Sequence, residues 1–144
     1  MQYMVVDRKA YTTKPINWTF LYSENDICIF LSKDLVDIRH AGIELDEWLD
    51  GDFKNLSFTE QDRAIIRGVR LLSQADMEKT PDKSSLIFEN DETHWWISEH
   101  RGKLQSVVLT DGTIHSRFNC ERTNSGVRPV IEIHKDDVSA LIKK

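Results

Sequence analysis

The chain has 144 residues, enough for one domain that buries roughly 70% of the surface its unfolded form exposes, so no disulfide or metal staple is required. Its 40% hydrophobic and 30% charged residues, with only six glycines and three prolines, exclude a disordered or fibrous chain. A net charge of −5 excludes any global attraction to nucleic-acid phosphates or anionic lipid; either would have to be held by a local patch. No run approaches the length of a membrane-spanning helix, and "MQYMVVDRKAYTTKP" lacks the apolar stretch and cleavage site of a signal peptide. The expectation is a single cytoplasmic domain over 1–144. Cys28 and Cys120 lie far apart in the chain and are read as buried or half-buried thiols rather than a disulfide framework or a zinc knuckle.

In chain order, a short apolar piece at Tyr3 to Val6 precedes a hairpin. The runs Trp18 to Tyr22 and Ile27 to Leu31 are rich in aromatic and β-branched residues, and "SEND" between them is a turn cluster. Ile43, Leu45, Trp48 and Leu49 recur at helical spacing, with Gly51 expected to stop the run and Phe53, Leu56 and Phe58 serving as apolar pegs in an irregular connection. Thr59 with Asp62 predicts a cap for a helix from about Glu60 to Ile66, ended by Gly68. "VRLLS" reads as a brief buried strand, and Ser73 with Asp76 caps a helical turn to about Lys79, before Pro81.

The second half is strand-like. "HWWIS", "LQSVVLT" and "TIHSRF" follow one another, and Asp111-Gly112 between the last two is a two-residue hairpin signal. "VRPVIEIH" is expected to close the sheet and "KDDVSALIKK" to add a terminal helical turn or two. Pro129 suits the first residue of a strand, where no ladder hydrogen bond is lost. Arg128 before it is expected to use its fork to hold a neighbouring loop or carboxylate. This order predicts an α+β fold: a twisted antiparallel sheet with two or three short helices.

Several blocks also carry a resemblance. "IFLSK" (29–33), "LDEWLDGDFKNLSFTEQDRAII" (45–66), "VRLLS" (69–73), "WWIS" (95–98), "TDG" (110–112) and "GVRPVIEI" (126–133) stand in the order of a bacterial and phage domain family of unknown function. That family has "LLSK", "LRKWLNGDFYNNAFSEEEKALI", "VFLLS", "WWLRSPG", a "DG" hairpin and "GVRPALWI". The resemblance spans about three quarters of the chain and implies a C-type-lectin-like fold, similar also to the sulfatase-activating enzymes. It makes Trp48, Trp95, Gly112, Arg128 and Pro129 structural landmarks. The sequence departs from the family at "WWISEHRG", so nothing resting on the family arginine carries over. The "EPN", "QPD" and "WND" signatures of calcium-dependent sugar binding are absent, and Cys120 stands alone where the sulfatase-activating enzymes use paired cysteines.

Catalytic constellations fail on spacing. His94, His100 and His115, with Glu99 and Asp111, lie in neighbouring strands and turns, yet no H-E-x-x-H, C-x-x-C or H-x-E pattern links them, so no metal or other cofactor is expected. Ser98 and Cys120 are the eligible nucleophiles, without a G-x-S-x-G elbow or any thiolate stabiliser beyond Arg122. Glu44, Asp46, Glu47, Asp50 and Asp52 read as a solvated acidic face rather than an acid–base pair. Such a face suits a partner with a basic surface. Adjacent Trp95 and Trp96 point to opposite faces of a strand, so Trp96 is a candidate exposed contact. The polar loop from Asn119 to Gly126, with Arg122 and Asn124, is the candidate adjustable binding loop.

The expectation is therefore a non-enzymatic protein- or ligand-binding domain that uses Glu44, Glu47, Asp50, Trp96, Asn119, Arg122 and Asn124. Its partner is a basic protein surface or a small ligand, with no direct nucleic acid and no membrane. A small acidic protein of this kind suits a phage or mobile-element inhibitor of a host defence protein. The alternatives are a diverged enzyme of the sulfatase-activating fold, with Cys120 or the histidines in its site, and a structural assembly subunit.

Overall fold

A computed structural model describes residues 3–7, 12–87, 94–109, 111–120 and 125–142. The chain is α+β, with short helices set against antiparallel and mixed sheets. Strand β1 (Tyr3–Asp7) pairs antiparallel with β2 (Thr12–Pro15), a partner that the sequence reading does not include. Strands β3 (Trp18–Glu24) and β4 (Ile27–Ser32) form the expected hairpin. Its turn residues Asn25 and Asp26 both have positive φ, 52° and 67°, the conformation a tight two-residue hairpin demands and one that Asn and Asp tolerate best.

After β5 (Asp37–Arg39), helix α1 (Ile43–Trp48) does not stop at Gly51. It passes through one wide turn, Leu49–Phe53, into α2 (Lys54–Ser57). The wide turn brings Leu49 and Phe53 into the core together, and the Asp50 carboxylate accepts the Val69 amide at 3.2 Å, which offsets the local departure from regular helix. The supposed irregular connection is thus helical.

Thr59 caps α3 (Glu60–Ile65) through the Asp62 amide, as its position predicts. Gly68 does not end that helix. The chain turns extended at Ile66, whose side chain is buried, and enters β6 (Ile66–Leu71) directly. The capping box of Ser73 and Asp76 starts α4 (Gln74–Lys79), followed by a tight helical turn at Lys83–Leu86.

Strands β7 (Trp95–Arg101), β8 (Leu104–Val108), β9 (Ile114–Asn119), β10 (Ser125–Val127) and β11 (Pro129–His134) follow, then a helical turn at Lys135–Asp137 and α5 (Val138–Ile142). Gly112, at φ 88°, turns the β8–β9 hairpin, where the Leu109 amide donates to the Thr113 carbonyl at 2.7 Å.

These strands do not make the single antiparallel sheet expected. One sheet runs β3-β4-β11-β6, all antiparallel; a second runs β5-β10-β7-β8-β9, with β10 parallel to β7. The chain crosses from the second sheet to the first at Val127-Arg128-Pro129, so Arg128 and Pro129 mark a passage between sheets. Pro129 is the first residue of β11, and the Arg128 guanidinium donates to the carbonyls of Ser32 at 3.0 Å and Leu86 at 3.2 Å.

Both sheets contribute to two apolar cores. One gathers Phe30, Ile131, Trp96, Val107 and the helical residues Leu45, Leu49, Phe53 and Phe58; the other gathers Leu31, Val130, Trp95, Ile97, Val108 and Leu86. Among the described residues no helix is long and apolar enough to cross a membrane.

Candidate functional site

The most irregular part of the second sheet lies around Ser106. Trp96 pairs with Val107 and His100 with Gln105, so Ile97, Ser98 and Glu99 oppose Ser106 alone. On its other side Gln105 pairs with Phe118 and Val107 with His115, so Ser116 and Arg117 also oppose Ser106 alone. Two bulges therefore coincide on one residue and splay the hairpin, a device that re-aims side chains. Gln105, buried beside it, secures the distortion: its Nε2 donates to the Ile97 carbonyl at 2.9 Å, and its Oε1 accepts the Gly42 amide at 3.1 Å. Gly42 precedes α1 at φ 94°, so this side chain joins the bulge to the start of the acidic helix.

Clefts open beside this hairpin. One, of about 460 Å³, is lined by Glu99, His100, Arg101, Leu104, Ser106 and Ser116. The other, of about 440 Å³, is lined by Ala41, Gly42, Ile43, Glu44, His100, Gly102 and Cys120. His100 belongs to both. Its Nδ1 lies 3.2 Å from the Ser98 carbonyl, which can only accept, so the contact is a hydrogen bond when Nδ1 carries a proton. One oxygen of Glu99 accepts the Gln74 amide at 2.8 Å, at the start of α4.

The acidic face lies alongside. Glu44 and Glu47 are exposed, and Ile43 and Leu56 are 74% and 75% exposed among them. Partial burial raises the pKa of Asp46, and neighbouring His100 opposes the shift. Asp50 is committed twice, to the Val69 amide and to Lys54 at 3.8 Å, so its carboxylate also supports the fold. Trp48 is half-buried beneath Arg39, whose guanidinium sits 4.2 Å from the indole ring centre.

Trp96 is not an exposed contact. Both faces of its sheet are covered, and Trp95 and Trp96 are 1% and 0% exposed in opposite cores. The indole nitrogen of Trp96 donates to the Arg39 carbonyl at 2.9 Å, a structural role. Asn119 ends β9, paired with Leu104. Arg122 and Asn124 lie outside the described residues, and the loop is shorter than expected because Ser125 and Gly126 are buried in β10.

The histidines separate. His94 and His115 flank Phe118, with ring centres 4.7 and 4.9 Å away, and the His94 ring bonds Ser125 Oγ at 2.8 Å. Burial lowers the His94 pKa, and the charge of His115 lowers it further. His100 stands apart, beside the cleft that holds Cys120. Cys120 is buried, its backbone tied to Lys103 and Ala41. Among the described residues no three His, Cys, Asp or Glu side chains come together to hold a metal ion.

The sequence reading missed Arg101, Leu104, Ser106 and Ser116. The available signal was "LQSVV", two polar residues inside an otherwise apolar strand. Compared with protein-family models, with curated proteins and with solved structures, the chain matches none of them.

Proposed function

We propose that this protein is a non-enzymatic binding domain whose α1 face docks onto a basic protein surface. The observation that carries the reading is the pairing of exposed carboxylates with exposed aliphatic groups: Glu44 and Glu47 next to Ile43, with Leu56 further along the same helical segment. Carboxylates there speed encounter with a cationic partner, and a desolvated aliphatic contact lengthens its stay. A phage or mobile-element inhibitor that occludes a basic channel of a host defence protein is one form of this reading. The motif order from "IFLSK" to "GVRPVIEI" supports a C-type-lectin-like scaffold beneath it.

The test is capture from host lysate at low and high salt, repeated with Glu44→Lys/Glu47→Lys and with Ile43→Asp. The reading expects one basic protein, retained at low salt, shed at high salt and lost with both variants. Retention that ignores these substitutions would remove it.

A further inference from the structure

The cleft at Ser106 has features that the acidic face does not use. Ser106 lines this cleft, and its hydroxyl makes no hydrogen bond among the described residues, so it faces the cleft rather than the fold. A hydroxyl that opens onto a cleft and is not used by the fold is free to donate to, or accept from, whatever enters. The two bulges open this space: they interrupt the pairing of the neighbouring strands opposite Ser106 on both sides.

The charges around it are specific. Glu99 and Arg101 both line the cleft from β7, two positions apart, with backbones roughly 6–7 Å apart. They line the same cleft without forming an ion pair with each other. The Arg101 guanidinium makes no hydrogen bond or ion pair among the described residues. One oxygen of Glu99 accepts the Gln74 amide, and the other has no partner among the described residues. A carboxylate anchored by the Gln74 amide and an unpaired guanidinium on the wall of one polar cleft, with two serine hydroxyls also lining it, complement a ligand that carries both charges.

Other ligand classes fit less well. A phosphate dianion would meet the Glu99 carboxylate, and a simple cation would meet Arg101. Leu104, 40% exposed at the cleft wall, offers contact to an aliphatic substituent.

We propose that this cleft binds a small zwitterion, an α-amino carboxylate. Its carboxylate lies on the Arg101 fork with the Ser106 and Ser116 hydroxyls beside it. Its ammonium lies on the free Glu99 oxygen, and its side chain lies against Leu104. Planar, bidentate recognition of a carboxylate is what an arginine fork provides. No covalent step is involved. The site is separate from the docking face, and either stands without the other.

The experiment is calorimetric titration of the full chain with L-leucine, with isopentylamine and 4-methylpentanoate as the two half-ligands, and with inorganic phosphate. A panel of the other free L-amino acids is run alongside. An amino acid is expected to bind saturably, with each half-ligand weaker by at least about tenfold. Arg101→Gln and Glu99→Gln should each remove that advantage, and Arg101 is exposed, so its loss leaves folding intact. Ser106→Val, which replaces the hydroxyl with apolar methyl groups on the cleft wall, should weaken binding while thermal unfolding stays cooperative. The proposal is overturned if phosphate or isopentylamine binds better than every amino acid. It is equally overturned if none of the panel binds below about 10 mM, or if Arg101→Gln leaves the affinity unchanged.

Discussion

The guanidinium carbon of Arg128 sits 4.6 Å from the ring centre of Trp95, at the point where the chain leaves one sheet for the other. Its two named carbonyl partners belong to β4 and to the turn before β7, so one buried side chain joins both sheets and the connection between them. Burial pushes its pKa down to about 10, opposed by Asp34, and leaves it cationic at neutral pH. Lysine keeps the charge but has neither the planar fork nor the flat face that stacks on indole. Arg128→Lys is therefore expected to lose about 3 kcal/mol of stability in urea denaturation, since two buried carbonyls lose their donor together. A loss below about 1 kcal/mol would show that the fork is dispensable.

Asp76 supports a second buried network. It receives Arg70 Nη1 at 2.6 Å, the Tyr22 hydroxyl and the Ser73 amide at 2.8 Å. Burial by itself would raise its pKa; these donors outweigh burial and hold it at about 2, below the ordinary 3.8. Because the folded-state value lies below the unfolded one, protonation favours the unfolded chain. The contribution, about 2 kcal/mol, is complete above roughly pH 4 and disappears as pH falls toward 2. Denaturation across that window should show the decline in the native chain, and Asp76→Asn should flatten it. An unchanged slope in the variant would assign the acid sensitivity to other carboxylates.

Local signals in the sequence were reliable where structure is locally determined. Thr59 and Ser73 cap the helices their spacing predicts, and the "SEND" and Asp111-Gly112 turns form hairpins, because capping and turn chemistry need only a few neighbours. What was illegible depends on distant partners. The Gly126 to Trp95 pairing is parallel and joins residues on opposite sides of two hairpin strands, so the division into two sheets has no local mark. Trp96 was misread for the same reason: alternation assigns it a face but cannot say that Leu45 and Leu49 cover that face. The double bulge at Ser106 also arises from registers on both sides.

Gly126 shows how tightly β10 packs against Leu35 and the entry to β7. A Cβ added there would stand 2.6 Å from Leu35 Cδ2 and 3.2 Å from the His94 carbonyl. The leucine end can rotate, but the carbonyl belongs to a backbone that accepts the Gly126 amide at 2.9 Å and cannot retreat without breaking that bond. Gly126→Ala is expected to cost about 1–3 kcal/mol through overpacking, whereas Gly51→Ala, with nothing within 4 Å of the new methyl, should be neutral or stabilising. Equal thermal midpoints for the two variants would contradict this account.

Gln105 offers the sharpest test of what shapes the candidate site. In Gln105→Glu the oxygen that accepts the Gly42 amide is kept, but the group facing the Ile97 carbonyl changes from a donor to a carboxylate oxygen. Buried and opposed by that carbonyl, the new side chain is more stable protonated, so its folded-state pKa lies above the ordinary glutamate range. A raised carboxyl pKa removes stability as pH rises, the reverse of Asp76. The variant should lose about 2–4 kcal/mol at neutral pH and recover most of it near pH 4, where the protonated carboxyl again donates to Ile97. Gln105→Leu, which satisfies neither partner, should be destabilised equally at both pH values. If Gln105→Glu shows no recovery in urea titrations at acid pH, the Ile97 bond does not hold the bulge, and the cleft at Ser106 is maintained by the strand registers alone.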